Sequence, residues 1–257
     1  MTLHLVRMGI DLHALARFAA ARRLSDDDYG YALHAAMAAR FGPDAAPRPF
    51  RFLPDHRAGA HLLGYTADPA PLLDAAALPV VDDLLDGLFD GVRAQAMPQM
   101  WRAGARFGFD VRVRPVVRFG KTVRAARSDR SDAWQRRASE IDAYVAACER
   151  AVAAGDSATT VDRAGVYLDW LTQRLAPAAT LDTADVSTFQ RSQVRRGTHR
   201  DDGRARTRTV EGPDAVIGGT LTITDPDTFA ALLAKGVGRH AAFGYGMLLL
   251  SPPSRAG

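Results

Sequence analysis

Apolar and polar positions change period several times in the first hundred residues, and each change marks an element. Leu3 to Ile10 reads as a strand, and residues 12 to 23 carry a short helical pattern. A second helix follows through Phe41, with Asp26, Asp27 and Asp28 suited to its N-terminal end and Gly42-Pro43 stopping it. Phe50 to Leu53 and Ala60 to Tyr65 are short apolar runs joined by a turn region containing Gly59, the pattern of a hairpin. Residues 69 to 89 favour helix but are interrupted by Pro71 and Pro79, and Val92 to Met100 predicts a fourth strand. The order is β-α-β-β-α-β.

The second half repeats that order more loosely. Arg106 to Arg114 alternates apolar and polar side chains, as a half-buried strand does. Residues 120 to 160 read as an insertion with one helix from about Ser131 to Ala154, and Val161 to Leu175 as an amphipathic helix. Asp185 to Val194 and Ala215 to Thr224 read as strands with an arginine-rich arm between them. Asp225-Pro226 opens a helix with a cap and a proline at its first position. Gly244 to Leu250 closes the sheet. The expected fold class is therefore α+β, two tandem ferredoxin-like (RRM-like) βαββαβ domains over residues 1–102 and 103–257. Trp101, Trp134 and Trp170 read as packing anchors.

Composition removes several function classes. The chain has 257 residues, 47% of them hydrophobic, enough for a packed core, yet no apolar run approaches the roughly 18 residues of a membrane span. Met1 to Arg7 starts directly as a strand and lacks the regions of a signal peptide, so a cytoplasmic protein with no membrane contact is expected. The single cysteine, Cys148, excludes an intramolecular disulfide and a cysteine zinc cluster. His4, His13, His56 and His61 have no metal-ligand spacing, and neither a P-loop nor a GxGxxG fingerprint occurs. No metal and no cofactor are expected.

Charge adds a candidate polyanion surface. Formal net charge is only +4, and Lys121 and Lys235 are the sole lysines. Arginines cluster, however, at Arg191, Arg195, Arg196, Arg200, Arg204, Arg206 and Arg208, beside His199 and opposed only by Asp201 and Asp202. The planar guanidinium fork suits phosphate, which points to nucleic acid; a solvated hairpin is the competing reading. Near the C-terminus, Lys235-Gly-Val-Gly-Arg-His240 opens a glycine-rich run in which Gly236 and Gly238 permit positive φ and close backbone approach to a phosphate. At the other end Tyr31 and His34 stand three residues apart on one helix face. By itself His34 is as compatible with a core histidine as with chemistry, and Tyr31 with a core tyrosine. His240 can touch RNA or cap its turn.

Five stretches then occur in an order that resembles the CasE family, the CRISPR repeat-RNA endoribonucleases of the type I-E Cascade complex. They are Tyr31-x-x-His34, the Phe-x-x-Arg-Val-Arg-Pro run from Phe109 to Pro115, the helix Val166 to Leu171, the strand Gly219 to Pro226, and the ending from Gly236 to Leu250. One departure stands out. Some relatives place a lysine five residues beyond the histidine, where this chain has Ala39 followed by Arg40. Arg40 points about 240° away from His34 around an ideal helix.

The resemblance implies a metal-independent ribonuclease that turns the RNA on itself. The 2′-hydroxyl displaces the adjacent 5′-oxygen, leaving a 2′,3′-cyclic phosphate and a 5′-hydroxyl. Such a reaction needs a proton acceptor, a proton donor and a cation near the phosphorane. His34 suits either proton role near neutral pH. Tyr31 can orient or deprotonate the hydroxyl, and the weak acidity of a phenol favours orienting. Arg239, then Lys235, then an arm arginine rank as the cation. Implied partners are CRISPR repeat RNA, with the enzyme remaining on the crRNA 3′ hairpin, and other Cascade subunits, especially the backbone subunit. Two further readings stay open: a non-catalytic subunit that caps the crRNA hairpin, and a ferredoxin-like metabolic enzyme whose arginines bind acidic small molecules.

Overall fold

The computed structural model describes residues 2–24, 29–57, 59–118, 140–199 and 205–253. Strands β1 (His4–Ile10), β2 (Phe50–Leu53), β3 (His61–Thr66) and β4 (Phe89–Ala96) form an antiparallel sheet of order β2-β3-β1-β4. Helices α1 (Leu12–Ala21), α2 (Tyr29–Phe41) and α3 (Ala70–Ala77) accompany it. Asp11 caps α1 by accepting from the Ala14 amide at 2.7 Å. Val6 and Met8 of β1 meet Leu33, Ala36 and Met37 of α2 and Phe50 of β2 in a closed core. The small Ala32 and Ala36 fill buried positions on α2.

The second sheet has order β10-β5-β9-β8, built from β5 (Arg106–Val113), β8 (Ala179–His199), β9 (Ala205–Ile223) and β10 (Leu248–Ser251). In both sheets the first strand lies between the third and the fourth, which is the ferredoxin-like arrangement expected. Two-residue strands β6 (Val116–Val117) and β7 (Ile141–Asp142) pair beside it, with helices α4 (Ala143–Ala153), α5 (Arg163–Leu175) and α6 (Pro226–Lys235). Val111, Ile217, Leu221, Leu171 and Phe229 build the second core. Leu5, Leu63 and Tyr65 of the first sheet pack against it, and the buried Tyr65 hydroxyl donates to the Leu248 carbonyl at 2.9 Å. This contact joins the sheets. Trp101 and Trp170 are anchors as expected: Trp101 stands edge-on to Phe107 and Phe229, and the Trp170 indole donates to the Val116 carbonyl at 3.1 Å.

Several boundaries differ from expectation, each for a local reason. The fourth strand runs from Phe89 to Ala96 rather than from Val92 to Met100, because pairing with β1 continues to Phe89 through an irregularity between Arg7 and Gly9. Only Ala70–Ala77 of the 69 to 89 segment is α-helix. Residues 131–139 of the expected insertion helix lie outside the described residues; among those described, a helix starts at Ala143, where the Asp142 carboxylate caps the Tyr144 amide at 2.9 Å. The arm is not a loop between strands. Its described residues are the outer half of a long hairpin, paired from Ala179 opposite Ile223 to His199 opposite Ala205 with register shifts between Leu181 and Thr183 and between Val186 and Thr188. Asp26 to Asp28, Lys121, Trp134, Arg200, Asp201, Asp202 and Arg204 lie outside the described residues.

Candidate active site

Helix α2 presents Tyr31 and His34 on one side, both half-buried, and the chain's glycine-rich end comes to meet them. A 3-10 turn at Ala241–Phe243 carries a phenyl ring into the gap. Phe243 stacks on Tyr31 with ring centres 5.9 Å apart and stands edge-on to His34 at 5.2 Å. Edge-to-face contact aims the positive rim of one ring at the π-face of another and fixes its orientation. Among the described residues nothing hydrogen-bonds to the His34 ring, which is unlike a satisfied core histidine. Burial holds its pKa below the ordinary 6.5, and the positive charge of Arg48 pushes the same way. Both effects favour the uncharged imidazole.

The glycines take the chain round the site, and their missing side chains leave room for protein. Gly236, at φ 81°, has Pro49 where a Cβ would point, and Gly238, at φ 78°, has the Trp170 ring 2.7 Å from that position. Gly244 fits against Phe50 and Gly246 against the Val237 carbonyl. The side on which a Cβ would stand at Gly236 and Gly238 is thus filled by Pro49 and Trp170. These residues shape the loop that delivers Phe243.

His240 and Arg239 are also engaged within the protein. His240 sits at φ 70° and is buried, its Nε2 3.0 Å from a Glu140 carboxylate oxygen. Arg239 lies 2.7 Å from the other oxygen of Glu140. Lys235, in the last turn of α6, is exposed.

The Phe109 to Pro115 run anchors the same loop. The guanidinium of Arg112 donates twice to Asp214, at 2.9 and 2.5 Å, and stands 4.7 Å over the ring of Tyr245. Arg114, 1% exposed, donates to the Ser192 hydroxyl at 3.2 Å, and Gly212 leaves room for its Nη2. The Tyr245 hydroxyl reaches Ser192 at 2.9 Å and Asp214 at 3.2 Å. These two arginines therefore tie β5 and the long hairpin to Tyr245, two residues from Phe243.

Cations near His34 differ from the expected ranking. Arg40 donates to the carbonyls of Ala75, Ala76 and Leu78 and so caps the end of α3, away from His34. Arg48 is exposed, with its backbone amide bound to the Tyr65 carbonyl at 3.0 Å and its guanidinium donating to the Pro43 carbonyl at 2.9 Å. It immediately precedes Pro49 and Phe50, the residues seated against the glycine loop. Neither Arg48 nor Phe243 stood out in the sequence reading as a site residue, although Phe243 lies inside the motif that carried the resemblance. In the arm, Arg191 pairs with Glu211 at 2.7 Å. Arg195 lies opposite Thr209, Arg196 opposite Arg208, and Arg206 opposite Thr198.

Two tandem ferredoxin-like sheets, with a tyrosine and histidine pair clamped by a glycine-rich ending, define a class that the comparisons bound further. The family model described as CRISPR associated protein matches residues 3–252, and the chain belongs to that family. The structure of the CRISPR endoribonuclease Cse3 bound to a 19-nucleotide RNA is 17% identical, covers 98% of this chain and 100% of its own, and has a TM-score of 0.62. Cas6e from Escherichia coli K-12 is 16% identical over 97% of this chain and 99% of its own, with a TM-score of 0.53. A chain of a CRISPR RNA-guided surveillance complex is 18% identical over 97% and 99%, with a TM-score of 0.52. At these identities the likeness is one of fold. No curated protein matches the sequence.

Proposed function

We propose that this protein is a metal-independent endoribonuclease that cleaves CRISPR repeat RNA to release mature crRNA and then stays on the 3′ hairpin as a subunit of a cytoplasmic surveillance complex. The observation that carries the reading is the seat of Phe243 against both Tyr31 and His34, which draws a helix of the first sheet and the glycine-rich end of the second into one site. Residues 1–102 and 103–257 serve as two domains whose junction is that site.

In this reading neutral His34 takes the proton of the 2′-hydroxyl as its oxygen attacks the adjacent phosphorus. The bond from phosphorus to the 5′-oxygen breaks, that oxygen takes a proton from water, and a 2′,3′-cyclic phosphate remains. Tyr31 orients the attacking hydroxyl. Arg48, the cation whose field reaches His34, stabilises the phosphorane charge, a role that relatives can give to lysine. Arg191, Arg195, Arg196, Arg200, Arg204, Arg206 and Arg208 grip hairpin phosphates, with Lys235 at the rim. Gly236, Gly238, Arg239 and His240 shape the loop beneath the RNA.

The experiment is incubation of the protein with repeat RNA in EDTA, comparing an all-ribose substrate with one carrying 2′-deoxyribose upstream of the scissile phosphate. Cleavage of the first to a cyclic phosphate, with intact binding of the second, is expected. A strict requirement for magnesium or cutting of the deoxy substrate rules the mechanism out. Binding without cleavage of the all-ribose RNA identifies a non-catalytic hairpin cap.

A further inference from the structure

The face of the N-terminal sheet opposite its core carries a row of arginines that the reaction at His34 does not use. Strand register sets Arg51 of β2 opposite Leu63 of β3, Leu63 opposite Arg7 of β1, and Arg7 opposite Arg93 of β4. Directly opposite residues of antiparallel strands point to the same side, with Cα atoms about 5 Å apart. That side is turned away from Val6 and Met8, and from helix α2, which packs on the core they form.

The two ends of the row differ. At one end the charge is answered, because Arg51 is 8% exposed and its Nη2 lies 3.1 Å from a carboxylate oxygen of Asp110 in the second sheet. At the other end, among the described residues, neither Arg7 nor Arg93 has a carboxylate partner or a side-chain hydrogen bond; Asp90, opposite Gly9 on the neighbouring rung, pairs with neither. Like charges placed directly across two strands destabilise a sheet. An anion between them removes that cost.

The space for one is there. Arg7, Arg93 and Gln95 line an open groove of about 460 Å³ whose apolar walls are Leu5, Leu63 and Ala94. Arg93 is exposed on the strand that ends the sheet. Two guanidinium forks on adjacent strands match the spread of oxygens around a single phosphate. Aliphatic walls accept ribose and base without the aromatic stacking that selects a base.

We propose that this groove is a phosphodiester site for single-stranded RNA continuous with the bound hairpin, held without regard to sequence by Arg7 and Arg93. The inference rests on the RNA-processing reading above and adds to it a second contact on the opposite face of the sheet from α2. A phosphate is favoured over an acidic protein segment because the two cations stand on one rung of the sheet and line one groove, rather than following a line of carboxylates.

The test is a salt titration of RNA binding with three probes: the bare repeat hairpin and the hairpin with a short single-stranded extension on its 5′ or its 3′ side. Wild-type protein is compared with Arg7→Ala/Arg93→Ala and with Arg93→Glu, an exposed change that keeps the strand and lets residue 93 pair with Arg7. Wild type should hold one of the extended RNAs more tightly than the bare hairpin, with a steeper dependence of log K on log salt. Both variants should lose that gain, with a slope lower by about 0.7 to 1.4 units, since each phosphate neutralised on a single strand contributes about 0.7. Their binding of the bare hairpin should match wild type. An extension that adds nothing, or a gain that survives both variants, overturns the groove alone. Unchanged RNA slopes together with lost assembly onto a protein subunit also overturn it, and reassign the face to protein. Wild type that binds none of the three RNAs overturns the RNA-processing reading and the groove with it.

Discussion

Phe243 stands edge-on to His34, with ring planes at 71°, and nearly parallel to Tyr31, at 15°. One phenyl ring thus sets the direction of both polar rings and excludes water from part of the imidazole. It reaches them from a turn that Tyr245, Arg112 and Asp214 anchor in the second sheet. Geometry at the candidate site is therefore borrowed from a network that lies outside it.

Replacing Phe243 with alanine should slow repeat cleavage by about ten- to a hundredfold, the scale of a misplaced reacting group, while leaving RNA affinity close to wild type. Phe243→Tyr should restore most of the rate. Because the ring also helps to bury His34, the alanine variant should shift the acidic limb of the pH–rate profile upward. A rate loss without that shift would make Phe243 a packing residue only.

His34→Ala should lower the cleavage rate by about 10² to 10⁴, the usual contribution of a general base, with RNA binding nearly unchanged. Single-turnover rates and equilibrium binding of a 2′-deoxy hairpin, measured side by side, separate the two effects. A wild-type rate in the variant would remove His34 from the chemistry.

Much of the architecture was legible because periodicity reports which side of an element is buried. Val6, Met8 and Ile10 alternate into the core, and the Asp225-Pro226 cap starts α6 where expected. Tyr31 and His34 were legible as a pair because three residues is nearly one helical turn. Arg48 was not, since its relation to His34 depends on how β2 packs beside the glycine loop. The glycines at 236 and 238 were legible as a place of close backbone approach, but not that Pro49 and Trp170, distant in sequence, fill the side where a Cβ would stand. Likewise Arg112 and Arg114 were legible only as polar positions of an alternating strand, and the fold supplies Asp214 and Ser192 as their partners.

The pH dependence of cleavage should show which proton His34 handles. Burial and then Arg48 lower its pKa, so a base has its acidic midpoint below 6.5 and the rate is flat from neutral pH upward. Arg48→Ala should move that midpoint toward 6.5 and lower the plateau, as loss of the phosphorane cation requires. A rate that instead falls as pH rises through the same midpoint would make His34 the general acid.

Asp214 should govern stability in acid. Burial raises its pKa, but hydrogen bonds from Arg112, Gln190 and Tyr245 outweigh that and leave it below the usual carboxylate value. Its stabilisation is present above the unfolded value near 3.9 and is lost as pH falls through the lower folded value. With Asp214 only 2% exposed, Asp214→Ala should cost about 3–5 kcal/mol by removing the buried carboxylate that Arg112, Gln190 and Tyr245 share. Urea unfolding at pH 7 and pH 3 checks both points. Asp214→Asn should flatten the difference between the two pH values.

The arm carries the last expectation. Arg195 and Arg196 lie in the outer half of a two-stranded hairpin, where β8 and β9 stay paired as far as His199 and Ala205. A paired ribbon already has its backbone fixed before it meets an RNA stem, whereas a loose loop would have to give up conformational freedom on binding. If the ribbon grips hairpin phosphates, each neutralised phosphate releases condensed counterion, and log K falls with log salt by about 0.7 to 0.9 per contact. Arg195→Ala/Arg196→Ala should therefore weaken hairpin binding and reduce the slope by roughly one to two units. Discrimination between repeat sequences should change less, because phosphate contacts position RNA and base contacts select it. The measurement is a salt titration of hairpin binding for wild type and the double variant, and an unchanged slope would move the hairpin surface away from the arm.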